Sequence, residues 1–240
     1  WDLVLALEWV RENALAFGGD PSRIMVFGQS GGGAKIATLM AAPSAKGLFH
    51  SAATMSGQQV TACGPLNGKA RAEAYLDRLS IGAADTDALK TLPADTLDWA
   101  DVPAGLERHM RCDIDPHHVV ARYREIYPDY TPTDVFFAAT TAGRSWRGQV
   151  EEADARAREN GPTWVYQMDL ASPDDGGKWG APHAIDIAHA FDNPGAEGSI
   201  TGTGPMARRV SDELSRAFIA LARTGDPNHS GLPGWHRHTL

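Results

Sequence analysis

Ser30 lies at the centre of a G-x-S-x-G pattern, Gly28 to Gly32, between an apolar run typical of a strand and a run of helix formers. A serine on a sharp strand-to-helix turn sits in strained backbone, and bulky residues two positions either side would collide with the flanking elements. Gly28 and Gly32 remove those side chains. The helix N-terminus offers free N–H groups and a positive dipole end, so the Gly31 amide can help form an oxyanion hole. The pattern predicts a nucleophile at Ser30; a glycine-rich turn with an incidental serine is the alternative.

His183 is the candidate general base. It follows Gly180, Ala181 and Pro182 and precedes an apolar run, a context that suits a histidine delivered on a loop. Such a base would take the proton of Ser30 during attack and return it to the leaving group. A lone histidine is more often structural, and the catalytic interpretation depends on the elbow being present in the same chain.

The base needs an acid that fixes the imidazole tautomer and stabilises the imidazolium. Glu107, Asp113 and Asp115 are available, but no convincing strand precedes any of them. Asp186 lies three residues after His183 and is better placed to face the surroundings of its own loop. The residues alone therefore leave the acid unassigned.

One cluster, Asp113, Asp115, His117 and His118, suggests a metal site at first inspection. Adjacent histidines on a helix point in different directions, and Asp115 followed by Pro116 fits the start of a helix. We expect a helix cap there and no metal.

The elements that must position Ser30 and His183 alternate between helix and strand. Trp1 to Phe17 predicts a mostly buried helix, and strands are predicted at Arg23 to Phe27 and at Ser51 to Met55. The elbow helix between these strands implies parallel pairing. Thr163 to Leu170 predicts a late strand, and Pro205 to Arg223 predicts an amphipathic helix. Further helices are predicted at Asn67 to Leu79, Thr86 to Leu92, Pro116 to Ile126, Pro132 to Trp146 and Gln149 to Asn160.

Composition predicts one large globular domain over residues 1–240, with a mainly helical stretch at about 98–160: the chain is 42% hydrophobic and 22% charged. A net charge of −8 disfavours nucleic acid or an anionic membrane as a partner. No apolar run approaches the roughly 18 residues of a membrane span. Cys63 and Cys112 lack the spacing of a zinc site or a disulfide framework, which favours a reducing, cytoplasmic compartment.

Five passages that occur in a fixed order are spread over nearly the whole chain: AFGGDPSRIMVFGQSGGG, GLFHSAATMSG, GPTWVYQMDL, GAPHAIDIAHAF, and FIALARTGDPN followed by Trp235. Together they resemble the type B carboxylesterases of the α/β-hydrolase superfamily, especially the bacterial para-nitrobenzyl-esterase-like members. The resemblance implies an α/β fold with a mostly parallel sheet flanked by helices. It also implies a serine, acid and histidine triad in that chain order, with Ser30 as nucleophile, His183 as base and Ser56 as a supporting hydrogen-bond partner.

Two features of that family are missing. Its HGGG-type segment, which supplies most of the oxyanion hole, does not occur in the 240 residues, and neither does the GT-x-x-DE-type passage that carries the acid. From this we expect that the N-terminal strands and an internal segment near Asp95 to Trp99 are absent from the sequence. A sheet without them would leave long apolar edges open.

The expected activity is hydrolysis of small or aromatic carboxylic esters through an acyl-enzyme, without metal or organic cofactor. Trp146, Trp164 and Trp179 are candidates for an acyl pocket, although core packing is the better interpretation of Trp164. A catalytically silent binding module is the alternative from another class, and a thioesterase or lipase on the same fold is a third. The sequence does not specify the oligomeric state.

Overall fold

A computed structural model describes residues 1–57 and 115–240, together with Lys69, Glu73, Leu76, Gly82 and Pro103. The chain divides into two compact units, one formed by Trp1–Gln59 and Gly148–Leu240 and the other by Val60–Arg147. The helices predicted at Asn67 to Leu79 and Thr86 to Leu92 lie outside the described residues. That residues 1–240 form one catalytic domain stays a prediction.

The regular elements are, in chain order, α1 (Asp2–Asn13), β1 (Met25–Gln29), α2 (Gly31–Ala41), β2 (Ser51–Met55), α3 (Pro116–Ile126), α4 (Pro132–Thr141), α5 (Arg147–Arg158), α6 (Asp186–Ala190) and α7 (Pro205–Thr224). Short 3₁₀ turns lie at Ala14–Phe17, Pro43–Ala45 and Asp174–Gly177, and a π-helical turn at Ala142–Trp146 joins α4 to α5.

The first unit is built on two paired strands. β1 and β2 are parallel, in a register that pairs Met25 with Ser51 and Gln29 with Met55, and α2 connects them. The predicted parallel pairing is therefore confirmed. β1 begins two residues later than predicted because the Asp20 carboxylate accepts hydrogen bonds from Ser22 and Arg23, which keeps that segment in a turn. These hydrogen bonds lower the pKa of Asp20 to about 2.

Helix α1 differs from its prediction, because only Val4 is buried. Val4 packs with Ala45 and Leu48 in a small apolar cluster. Leu5 and Trp9 stay 60% and 56% exposed. The prediction that this helix is mostly buried is wrong for the described structure, where apolar contacts cover only one side of it.

The segment Thr163 to Leu170 forms no regular strand, contrary to prediction. Its carbonyl groups instead accept hydrogen bonds from the C-terminal segment: the His238 N–H donates to Thr163 at 2.8 Å and the Trp235 indole donates to Val165 at 3.1 Å. The last helix, α7, matches its prediction to within one residue. It ends at Gly225, whose positive φ of 77° allows the left-handed conformation that closes the helix.

The described part of the second unit consists of α3, α4 and the π-helical turn. Asp115 caps α3 by accepting the His117 N–H at 2.9 Å, as predicted for a helix start. Thr131 and Asp134 form a reciprocal capping box at the start of α4. Ala139 of α4 is buried against Val119, Val120, Tyr123 and Phe136.

Candidate active site

Ser30 connects the end of β1 to the start of α2 with φ 56° and ψ −120°. A positive φ at a residue other than glycine costs on the order of 1–3 kcal/mol and persists only where the surroundings enforce it. Here the Ser30 N–H donates to the Met55 carbonyl at 2.8 Å, and the Ser30 carbonyl accepts from the Ala34 N–H at 3.0 Å. The strained strand-to-helix turn predicted from the sequence is present.

Three glycines let the backbone close around this turn. A Cβ on Gly28 would lie 2.7 Å from the carbonyl carbon of Gly32, and one on Gly33 would lie 2.9 Å from the Gly28 oxygen. A Cβ on Gly57 would lie only 2.2 Å from the Ser30 oxygen. The space requirement predicted for Gly28 is confirmed, whereas the one predicted for Gly32 is wrong, because a Cβ there meets nothing within 4 Å.

Ser56 follows β2 as Ser30 follows β1. Since Gln29 pairs with Met55, both serines leave the sheet at the same edge. Ser56 also has a positive φ, 49°, and its side chain is exposed. The structure thus brings the two serines to one end of the paired strands, and the supporting role of Ser56 remains a prediction.

The His183 loop reaches this same edge. The two imidazole nitrogens lie 3.1 and 3.3 Å from the Gln29 side-chain amide nitrogen, and Gln29 directly precedes Ser30. Within the described part of the chain no hydrogen bond joins the Ser30 hydroxyl to the imidazole, and the contact of His183 is with Gln29. Gln29 is not among the site residues predicted from the sequence. Its position between Gly28 and Ser30 was the feature that could have indicated it.

We expect Gln29→Glu to move the acid limb of the kcat/KM profile to higher pH by about one pH unit, since a carboxylate beside the ring stabilises the imidazolium. The imidazolium cannot accept the Ser30 proton. Measuring kcat/KM against pH for a p-nitrophenyl ester checks this, with Gln29→Met as an uncharged control of similar length. If the acid limb lies at the same pH in Gln29→Glu and Gln29→Met, the contact between residue 29 and His183 does not affect catalysis.

Behind the loop, α6 is attached through buried polar groups. Asp186 Oδ2 accepts the Tyr166 hydroxyl at 2.8 Å, and His189 Nδ1 is hydrogen-bonded to the Ser211 hydroxyl of α7 at 2.8 Å. Burial, followed by the charge of Asp186, raises the pKa of Tyr166 far above its ordinary value. Burial also lowers the pKa of His189, against the opposing effect of Asp186. Asp186 is buried, and its partner Tyr166 belongs to the segment Thr163 to Leu170.

An open cleft of about 420 Å³ lies beside the histidine loop, lined by Asp174, Asp175, Trp179, Pro182 and Ile200. The Trp179 indole donates to Asp175 at 2.8 Å. Lys178 pairs with the same carboxylate at 3.1 Å, and its ammonium lies 4.6 Å from the centre of the Trp179 ring. The Trp179 hydrogen bond, followed by the hydrogen bond and charge of Lys178, lowers the pKa of Asp175.

The remaining candidates are Gly31, Trp164, Trp146, Glu107 and Asp113. Gly31 is the first residue of α2, in the position from which its N–H can reach an oxyanion. Trp164 packs under the Arg237 guanidinium, 5.3 Å from the ring centre, and Trp146 belongs to the second unit. Glu107 and Asp113 lie outside the described residues.

Two general features do not occur in the described ranges, 1–57 and 115–240. In these ranges no three His, Cys, Asp or Glu side chains are grouped so as to hold a metal ion. No helix described there is both long and apolar enough to cross a membrane.

Comparison with known proteins shows similarity to carboxylesterases. The model of the carboxylesterase family matches residues 1–89. The chain is 28% identical to the phenmedipham hydrolase of Pseudarthrobacter oxydans over 98% of its own length and 61% of that protein. It is 46% identical to the para-nitrobenzyl esterase of Bacillus subtilis over 40% of its own length and 19% of that protein.

Solved structures give the fold. A carboxylesterase of Geobacillus stearothermophilus superposes with a TM-score of 0.73 at 24% identity, over 99% of this chain and 62% of that one. A structure described as PNB esterase superposes with a TM-score of 0.70 at 25% identity, over 99% of this chain and 61% of that one. The chain thus spans about three fifths of the length of these structures and of the phenmedipham hydrolase. The fold predicted from the five passages is confirmed, and the predicted resemblance is supported: the chain has the α/β-hydrolase fold and is similar to carboxylesterases, para-nitrobenzyl esterases among them.

Proposed function

We propose that this chain carries the nucleophile and base of a serine carboxylesterase that hydrolyses small or aromatic carboxylic esters. The observation that supports this most directly is the strained Ser30 turn with the His183 imidazole against its neighbour Gln29. Strain of this kind persists at functional sites, and here it presents a hydroxyl at the edge where the histidine loop arrives.

In the proposed reaction, the Ser30 oxygen attacks the ester carbonyl carbon while His183 takes its proton. The carbonyl oxygen becomes an oxyanion, towards which the Gly31 N–H is directed. The intermediate then expels the alcohol, which receives the proton from His183, and leaves an acyl group on Ser30. Water, deprotonated by His183, then attacks the acyl carbon, and the acid leaves as the Ser30 oxygen takes the proton back from His183. For the first transfer the exposed imidazole must turn from Gln29 to the Ser30 hydroxyl.

The cleft supports the substrate class. Trp179 and Pro182 give it apolar faces directly before His183, which suits a flat ring on an ester. A relative named for para-nitrobenzyl esters, which carry an aromatic ring, agrees with this. We further propose a cytoplasmic location and a small-molecule ester as the partner, with no organic cofactor or metal and no nucleic acid.

A fluorophosphonate probe applied to the full-length protein tests the proposal. We expect stoichiometric labelling of the peptide that contains Ser30, with Ser56 of the neighbouring strand unlabelled as the internal control. No labelling would favour a catalytically silent binding module. A panel of short p-nitrophenyl esters, acyl-thioesters and long-chain emulsions then tests the ester class, and faster turnover of either of the last two would point to a thioesterase or a lipase.

A further inference from the structure

We propose that Tyr166 and Asp186 are positioning residues that hold His183 at the elbow, an inference that rests on the proposed function of His183. The Tyr166 hydroxyl donates to Asp186 Oδ2 at 2.8 Å, and Asp186 is only 4% exposed. Asp186 Oδ1 is buried and has no hydrogen-bond partner among the described residues. Among the described residues, the Tyr166 hydroxyl is therefore the one hydrogen-bond donor to this buried carboxylate.

Tyr166 is itself fixed from two directions. Its ring meets the Trp235 ring edge-on at 6.3 Å between centres, and its carbonyl accepts the Gln149 side-chain amide at 3.4 Å. The Trp235 indole also donates to the carbonyl of the preceding residue, Val165. The hydroxyl is thus presented to Asp186 by a segment attached to both α5 and the C-terminal segment.

Only two residues separate Asp186 from His183, and both are constrained. Ala184 has a positive φ of 75°, a conformation that a residue with a Cβ rarely adopts. Ile185 is 3% exposed, and its N–H donates to the Pro182 carbonyl at 3.2 Å. A displacement of Asp186 therefore passes to the imidazole through a short, strained turn.

The other end of α6 is held independently, because His189 is fully buried and bonded to Ser211 of α7. Removing the Tyr166 hydroxyl releases the end of α6 nearer His183 while the His189 contact remains. This predicts a local shift of the histidine loop and retention of the fold.

The experiment compares Tyr166→Phe and Asp186→Asn with Tyr123→Phe in the full-length protein. Tyr123 is a matched control, because its hydroxyl donates to the Ala138 carbonyl at 3.4 Å within the second unit. Three quantities are measured: kcat per titrated active site, KM, and the NMR signals of the His183 imidazole.

We expect Tyr166→Phe to lower kcat about 10- to 100-fold, the effect of a displaced reacting group, with KM changed less than about twofold. The His183 signals should shift in Tyr166→Phe and stay in place in Tyr123→Phe. Asp186→Asn should keep most of the activity and leave the His183 signals unshifted, because its amide oxygen still accepts the hydrogen bond from the Tyr166 hydroxyl.

Equal kcat and unshifted His183 signals in Tyr166→Phe and Tyr123→Phe would overturn the inference. If Tyr166→Phe does not fold, Asp186→Ala decides, because it removes the acceptor of the same hydrogen bond, and unshifted His183 signals in that variant would overturn the inference as well. Failure of the proposed function is separate: the wild-type protein would then resist the fluorophosphonate probe, while the His183 signals would still report whether the pair positions the ring.

Discussion

Ser30→Ala should lower kcat/KM for a p-nitrophenyl ester by about 10⁴- to 10⁶-fold, because it removes the hydroxyl that we propose forms the acyl intermediate. The measurement is the steady-state rate, with circular dichroism to show that the fold is retained. Alanine keeps the Cβ that the strained turn already accommodates. The loss would therefore report the missing hydroxyl and not a disturbed elbow.

The same experiment tests whether Ser30 and His183 work together. Groups that act in one step are strongly non-additive, so His183→Ala should cost nearly as much as Ser30→Ala, and the double variant should lose no more than either. Ser56→Ala is the matched serine control and should lose far less activity. Multiplicative losses in the double variant, or substantial turnover without Ser30, would contradict the proposed mechanism.

Gly57→Ala is the second large effect, and it acts on stability. Its Cβ would lie 2.2 Å from the Ser30 oxygen, 2.5 Å from the Ala34 nitrogen and 2.7 Å from the Gly33 Cα. All three are backbone atoms, so the clash can be relieved only by moving the end of β2 away from the elbow. We expect a loss of about 4 kcal/mol or more in the free energy of unfolding, measured by urea denaturation, and loss of Ser30 labelling.

Gly32→Ala provides the matched control within the same elbow. Nothing lies within 4 Å of its Cβ, and the residue is inside α2, where alanine is favoured over glycine by about 1 kcal/mol. Stability equal to or above that of the wild-type protein is therefore expected. Similar denaturation midpoints for Gly57→Ala and Gly32→Ala would show that the close approach of Gly57 to the Ser30 oxygen is not required for stability.

The elbow could be predicted from five residues because its strain is local. The spacing of Gly28 and Ser30 is enough to predict the turn. The need for Gly57 could not be predicted, since its approach to the Ser30 oxygen depends on the parallel register of β1 and β2, and no pattern around either residue specifies that register. Gln29 was missed for a related reason: its contact with His183 joins positions 154 residues apart.

Secondary structure was predictable where the residues themselves determine it. Asp115 begins its helix as its side chain predicts, and the next helix begins at Pro132, the predicted residue. The β-branched and aromatic content of Thr163 to Leu170 predicts a strand, but a strand also needs a neighbour with a free edge. The described structure supplies the N–H of His238 and the side chains of Trp235 and Gln149 as donors instead.

The hydrogen bond from the Ser30 N–H to the Met55 carbonyl has a consequence for heating. It ties the backbone of Ser30 to the partner strand, so the two strands cannot separate without releasing the serine from its strained conformation. Thermal inactivation and the melting of this strand pair should thus be a single event.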